Sequence, residues 1–353
     1  MQAHDRHPSR SACAAAPMRA VVRRRLSGWA LGALLVFVAP LARAQTDPLP
    51  SWNDGAAKRA IVAFVKETTD KASPKFVAPE ARIVTFDQDG TTWVEQPNYA
   101  EAMFAFDRVA IELDKHPRLK LVEPFKTIMS GNQAAIAKLT NEDLLKVAAA
   151  LTHSGMTVDE FRKIVGDWLA SAKHPRFKRP YTELVFQPML EVMQYMRANG
   201  YKTYFATGGG QDFVREYAEK VYGIPPEQVI GSAADTSFGY TKDGRAVLTK
   251  THKMLYVDDK AGKPIAIHQM IGRRPVAAFG NSVGDQQMLE YVQAGEGARL
   301  MVLVHHDDAA REYAYGPRSK VGTFTDALGA EAKKRDWVVI SMKNDWKRIF
   351  AWE

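Results

Sequence analysis

The chain has 353 residues, 46% of them hydrophobic and 25% charged, with a formal net charge of +8 and a single cysteine. The first 44 residues hold seven arginines and one aspartate, so the remaining 309 carry only +2. That near-balance leaves no global case for binding nucleic acid or an acidic membrane, and 309 residues suffice for one large domain or a core with an inserted unit.

The N-terminal segment reads as a secretory signal peptide spanning 1–44. Arg23, Arg24 and Arg25 precede the mostly apolar run Leu26 to Leu41, and Ala42-Arg43-Ala44 supplies small residues at a cleavage-type spacing. The apolar run is shorter than the ~20 residues of a spanning helix, which argues for export over a retained anchor. Cleavage near Gln45 removes Cys13, so the mature chain has no thiol for a disulfide, a nucleophile or a metal site. The expected location is periplasmic or secreted, with no stable membrane association after cleavage.

A lead-in follows over 45–80, with an amphipathic helix expected from Trp52 to Lys71 and Ile61, Val62, Phe64 and Val65 on its apolar side. Ile83 to Phe86 is a short β-branched and aromatic run, predicted as a buried strand. From about Asn98 to Thr182 the periodicity is helical only, with Leu139, Leu144, Leu145, Val147, Leu151, Phe161, Ile164, Val165, Trp168 and Leu169 recurring at intervals of three and four. Thr157 and Glu160 form a capping-box pattern within it. Strand and helix alternate again after that: helix at Glu191 to Asn199, strand at Tyr201 to Ala206, helix at Asp212 to Tyr222, strands at Val276 to Phe279 and Leu300 to Val304. Alternation of this kind predicts an α/β fold with a Rossmann-like, mainly parallel sheet. The core is expected at 81–97 and 183–353, with an inserted α-helical cap at 98–182.

Four short motifs carry chemistry. Asp87 and Asp89 leave the first strand within Asp-Gln-Asp-Gly-Thr, where loops at strand tips enclose the ligand crevice of open α/β sheets. Two carboxylates that close repel each other unless a cation or a division of catalytic labour justifies them. Thr207, Gly208, Gly209 and Gly210 follow the Tyr201 to Ala206 strand and precede a helix, so a hydroxyl and backbone N–H groups are offered to an anion. Lys263, in a charged loop, is a candidate for offsetting a phosphoryl charge, with Lys260 as its substitute. Asn281 and Asp285 follow the Val276 to Phe279 strand and supply the hard oxygens that magnesium accepts.

In that order the motifs resemble those of the haloacid dehalogenase superfamily, and within it the phosphoserine-phosphatase-like hydrolases, over Ala81 to the end of the Leu300 strand. The resemblance implies magnesium dependence and an aspartyl-phosphate intermediate. By position it makes Asp87 the nucleophile and Asp89 the general acid and base, with Thr207 and Gly208 at the phosphoryl group and Lys263 balancing its charge. The metal would be held by Asp87, the Asp89 carbonyl, Asn281 and Asp285. Many relatives have Asp where Asn281 stands, which removes one charge from the metal site. Gln96 occupies the ninth position after Asp87, where phosphoserine-specific members carry Glu, and Glu95 precedes it, which argues against phosphoserine as substrate. Asp89 argues against a dehalogenase, since those relatives lack the second loop aspartate. The expected activity is hydrolysis of a small phosphate monoester. The competing readings are a secreted phosphate-binding protein or pseudoenzyme with a weakened metal site, and a phosphomutase.

Overall fold

In the computed structural model the described residues are 47–353 except 116, 137, 141–142, 144–146 and 148–154. The expected signal segment, and Leu144, Leu145 and Leu151 of the helical insertion, lie outside them. Among the described residues no helix is long and apolar enough to cross a membrane.

Seven strands form one sheet in the order β4-β3-β2-β1-β5-β6-β7. They are β1 (Ile83–Phe86), β2 (Lys202–Gly210), β3 (Val229–Tyr240), β4 (Ala246–Tyr256), β5 (Ala277–Gly280), β6 (Leu300–His305) and β7 (Val338–Ser341). All neighbours are parallel except β3 and β4, which pair antiparallel. The chain runs outward from β1 through β2 and β3 on one side, then returns to build β5, β6 and β7 on the other. The crevice where direction reverses lies between β1 and β5, at the carboxyl ends of both.

Period-two alternation assigns each strand residue to one of two apolar layers. Val84, Phe86, Phe205, Val229, Phe279, Val302 and Val304 face a layer completed by the helices Ala56–Thr69, Val158–Ser171 and Gln187–Ala198. Ala206, Ile230, Ala278, Met301 and Leu303 face the other, under Gly262–Ile271, Gln286–Gln293 and Asp326–Lys334. With both faces covered, β1 and β5 are buried at every residue, which is why they read as continuous apolar runs.

The helical insertion divides between cores. Phe104, Phe161, Val165 and Leu169 join the main layer, whereas Ala105, Val109, Leu113, Phe125 and Val147 form a separate cluster. The capping box at Thr157 is formed, with the Glu160 N–H donating to Thr157 Oγ1 at 3.2 Å and the Thr157 N–H to Glu160 Oε2 at 2.8 Å. Residues Asp47–Glu353 form one compact unit, so the inserted helices are continuous with the sheet's core. The expected Asp212 to Tyr222 helix is two short ones, Gln211–Arg215 and Ala218–Tyr222. The β3–β4 hairpin and β7 were not anticipated from the sequence. The hairpin's outer half projects beyond the layers and leaves Phe238 and Tyr240 exposed, so it lacks a clean apolar alternation.

The lead-in is part of the core. Trp52 is fully buried, its Nε1 donates to the Pro188 carbonyl at 3.0 Å, and its ring meets Trp346 edge-on at 5.9 Å. Trp52→Ala should therefore lower the unfolding free energy by about 3–5 kcal/mol, read from urea denaturation. A change under about 1 kcal/mol would show that the lead-in is not structurally coupled to the sheet.

Candidate active site

The site begins where β1 ends. The Asp87 N–H donates to the Phe279 carbonyl at 2.8 Å, carrying the β1–β5 ladder one residue past the strand and fixing Asp87 at its tip. Beneath it the Phe86 and Phe279 rings stack at 4.6 Å. The chain then turns sharply at Gly90, whose φ is +71° and where a Cβ would lie 2.1 Å from Asn281 Nδ2. Only glycine fits that combination of left-handed backbone and closeness.

Asp87, Asp89, Thr207, Gly208, Lys263, Asn281 and Asp285 all line a single cavity of about 210 Å³. All seven residues expected from the sequence converge there. Lys263, expected in a loop, lies instead in the first turn of Gly262–Ile271 and is buried. Its Nζ donates to Asp87 Oδ1 at 2.6 Å, Asp285 Oδ1 at 2.7 Å and the Ala206 carbonyl at 2.7 Å. Lys260 is exposed and contacts the Asn281–Asp285 loop through its backbone, so Lys263 is the lysine of the site.

One expectation is corrected at the glycine run. Thr207 to Gly210 continue β2, and two of the N–H groups expected to be free are engaged. The Gly209 N–H donates to Thr207 Oγ1 at 3.1 Å and the Gly210 N–H to Glu101 Oε2 at 2.6 Å. Glu101 comes from the helix Ala100–Lys115, so the insertion places a carboxylate at the cavity wall.

The two loop aspartates have different surroundings. Asp89 Oδ1 accepts from Trp93 Nε1 at 2.6 Å. Burial raises its carboxyl to about 6, with the Trp93 hydrogen bond and Lys263 pulling the other way. Asp87 is pushed well above the ordinary carboxylate range by burial and then by the like charge of Asp285, against the pull of Lys263. Burial alone would lower the Lys263 ammonium, but Asp285 and Asp87 outweigh it and hold it above its ordinary value. Excess negative charge around one buried ammonium is the condition that a further cation would relieve.

The donor set fits magnesium. Thr91 Oγ1 lies 3.3 Å from both Asp87 Oδ2 and Asn281 Oδ1, which brings those two hard oxygens to one place. The Asn281 amide is oriented by its Nδ2, which donates to Glu95 Oε1 at 2.7 Å and so turns its carbonyl oxygen toward Asp87. Asp285 is occupied differently: Oδ1 accepts from Lys263, and Oδ2 from the N–H groups of Asn281 at 3.0 Å and Ser282 at 3.1 Å. Of the two residues Asn281 is therefore the one whose oxygen shares the Thr91 hydroxyl with Asp87, and Asp285 braces its loop. Among the described residues no three His, Cys, Asp or Glu side chains converge as a metal cluster, so an amide or backbone oxygen would have to complete the set.

Sequence reasoning missed Tyr99, Glu101 and Asp259, which also line the cavity: the first two come from a segment with no motif, and Asp259 stands in the lysine-bearing stretch, where attention went to Lys260 and Lys263. It singled out Glu95 only as the neighbour of Gln96. Glu95 faces the cavity, whereas the Gln96 amide turns away to Ser319 Oγ and the Val321 carbonyl, both at 3.0 Å. Trp93, at the exit of the Asp87-Asp89 loop, is 1% exposed and stacks on Tyr217 at 4.8 Å. It is core, and it also holds Asp89.

Asp258 sits behind Lys263 with no exposure and with neither carboxylate oxygen hydrogen-bonded. Burial raises it from 3.8 to about 7, with Lys263 opposing. Between those two values the folded chain holds more protons than the unfolded one, so stability falls as pH rises through that window. The metal-free protein should melt at a lower temperature at about pH 8 than at about pH 5, and Asp258→Asn should make that slope shallower. Melting curves across the range test this, and an unchanged slope in the variant would rule Asp258 out as a contributor.

A family model for haloacid dehalogenase-like hydrolases matches residues 84–290. No curated protein matches the chain. Solved structures similar to it include a protein of unknown function from Bordetella pertussis, 16% identical over 73% of this chain and 97% of that one with a TM-score of 0.46. A functionally unknown protein from Anaerococcus prevotii is 14% identical over 75% and 89%, with a TM-score of 0.49. A phosphoserine phosphohydrolase-like protein from Francisella tularensis is 16% identical over 72% and 98%, with a TM-score of 0.35. The family model reaches from Val84 in β1 to Glu290 in the Gln286–Gln293 helix and thus covers every one of the seven site residues, and on that match the chain belongs to the haloacid dehalogenase-like hydrolases.

Proposed function

We propose that the protein is an exported, magnesium-dependent phosphatase that hydrolyses a small phosphate monoester through an aspartyl-phosphate intermediate. The observation that carries this reading is Asp87, fixed at the tip of β1, facing the cavity and 2.6 Å from the Lys263 ammonium. A carboxylate becomes a competent nucleophile toward phosphorus when its charge and the phosphoryl charge are both balanced.

In the first step an Asp87 carboxylate oxygen bonds to phosphorus while the bond from phosphorus to the ester oxygen breaks. Asp89 gives that leaving oxygen its proton. With a carboxyl near 6, Asp89 is suited to exchange a proton in both directions close to neutrality. Its Oδ1 is held by Trp93, and its Oδ2 faces Gly209 on the cavity wall. In the second step Asp89 takes a proton from water as the water oxygen bonds to phosphorus, which releases phosphate and restores Asp87. The Thr207 hydroxyl and Gly208 border the phosphoryl position, and Lys263 offsets its charge. Asp87, the Asp89 carbonyl and Asn281 would hold magnesium, with Asp285 bracing the Asn281 loop. The bound ion would supply positive charge to the phosphoryl oxygens and to Asp87.

Two features support export: the charge, apolar core and small-residue exit of residues 1–44, and the burial of Leu49 and Trp52, which cleavage near Gln45 leaves in place. N-terminal sequencing of extracytoplasmic protein should begin near Gln45. An intact N-terminus in a membrane pellet would support an anchor instead.

Asp87→Asn should abolish nearly all magnesium-dependent hydrolysis of an aryl phosphate with the fold intact, because the amide is nearly isosteric but a poor nucleophile. Retention of more than about a tenth of kcat/KM, equivalent to a loss under ~1.4 kcal/mol, would refute the assignment. Phosphate binding by the wild-type protein without turnover would favour the binding-protein reading.

A further inference from the structure

Behind the Asp87-Asp89 loop, on the side away from the cavity, lies a buried polar chain with no part in the steps above. His306 follows β6 and is 3% exposed, and Glu312 is fully buried. His306 Nδ1 lies 3.0 Å from Glu312 Oε2, and Nε2 lies 2.7 Å from the Gly90 carbonyl oxygen. A carbonyl can only accept, so Nε2 must carry hydrogen whichever of the pair holds a second proton. The other Glu312 oxygen has no hydrogen-bond partner, which leaves His306 as the compensation for burying that acid. The imidazole is clamped by Tyr315, stacked at 4.3 Å, and by Phe186 at 5.9 Å, so its orientation is determined by packing.

The same segment reaches the loop a second time. Tyr315 Oη donates to Glu95 Oε1 at 2.5 Å, and that oxygen also accepts from Asn281 Nδ2 at 2.7 Å. Gly90 is where both branches meet. Its carbonyl is held by His306, and its α-carbon is walled by Asn281 and Glu95. The Gly90 peptide joins Asp89, on Trp93, to Thr91, whose hydroxyl touches Asp87 and Asn281. The carbonyl that His306 holds belongs to the Gly90–Thr91 peptide, so a rotation there would displace Thr91, with its hydroxyl contacts to Asp87 and Asn281, relative to Asp89.

We propose that His306, oriented by Glu312, is a positioning residue that locks the Gly90 peptide and thereby sets Asp89 and Thr91 for the proton-transfer steps. This rests on the role proposed above for Asp89. It does not make His306 a catalytic residue, since the ring meets the loop backbone from behind and does not line the cavity.

Two near-isosteres separate positioning from mere packing. His306→Gln places an amide N–H close to where Nε2 stood and can keep the Gly90 bond; His306→Asn places one near Nδ1 and cannot. Both lose the stacked ring, so both should melt at similarly lowered temperatures. With an aryl phosphate and magnesium, His306→Asn should lose about tenfold or more in kcat with KM nearly unchanged, whereas His306→Gln should stay within about threefold of wild type. Equal losses in the two variants, or none in either, would overturn the proposal.

If His306→Asn does not fold, the wild-type protein labelled with 15N-histidine supplies the test without kinetics. Nε2 of His306 should show a protonated, slowly exchanging nitrogen signal, and an unprotonated Nε2 would refute the clamp. Absence of magnesium-dependent aryl-phosphate hydrolysis in the wild-type protein would remove the phosphatase reading while leaving that nitrogen signal intact, so the two failures are distinguishable.

Discussion

Everything in the site depends on one buried ammonium. Lys263 joins Asp87, Asp285 and the Ala206 carbonyl within hydrogen-bonding distance, and so ties the tip of β1, the loop after β5 and the middle of β2 to one helix. Two carboxylates this close, with water excluded, would repel strongly, because charge interactions grow as the local dielectric falls. The lysine makes the arrangement tenable, and removing such a partner from a buried pair costs about 3–5 kcal/mol. The cluster still carries an excess of negative charge, which burial makes unfavourable and a hard cation would relieve. Packing around it is tight: a Cβ on Gly280 would lie 2.4 Å from that of Asp285.

The two loop aspartates have identical chemistry, and their neighbours give them different surroundings. Asp87 shares an ammonium with a second acid. Asp89 has an indole N–H on one oxygen and the cavity on its other side. Trp93 thus does two things at once, filling the core against Tyr217 and fixing a carboxylate of the cavity. The amide of Asn281 is aimed in a similar way. Glu95 takes its N–H and leaves its oxygen on the side of the Thr91 hydroxyl, which also contacts Asp87.

The inserted helices stand in two relations to this centre. Phe104, Phe161, Val165 and Leu169 complete an apolar layer of the sheet, so part of the insertion is structural. Glu101, on the same helix as Phe104, reaches back to the Gly210 N–H and is raised to about 7, chiefly by burial.

The α/β class, the parallel strands and the four motifs were legible in the sequence, because each is a local property. A strand buried on both faces shows as an unbroken apolar run, a glycine at a tight turn shows beside its acids, and a capping box shows as Thr157 with Glu160. The lysine was not decided that way. Lys260 and Lys263 differ locally by little, and only the start of the Gly262–Ile271 helix buries one and exposes the other. Nor could spacing reveal that Asp285 is spent on backbone N–H groups and Lys263 while the Asn281 oxygen meets the Thr91 hydroxyl beside Asp87, or that His306 and Glu312 lie behind Gly90 from more than two hundred residues away. The residue types and order of this site were written along the chain. Their orientation, burial and charge balance arise from contacts between segments remote in sequence, and only the tertiary structure decides those.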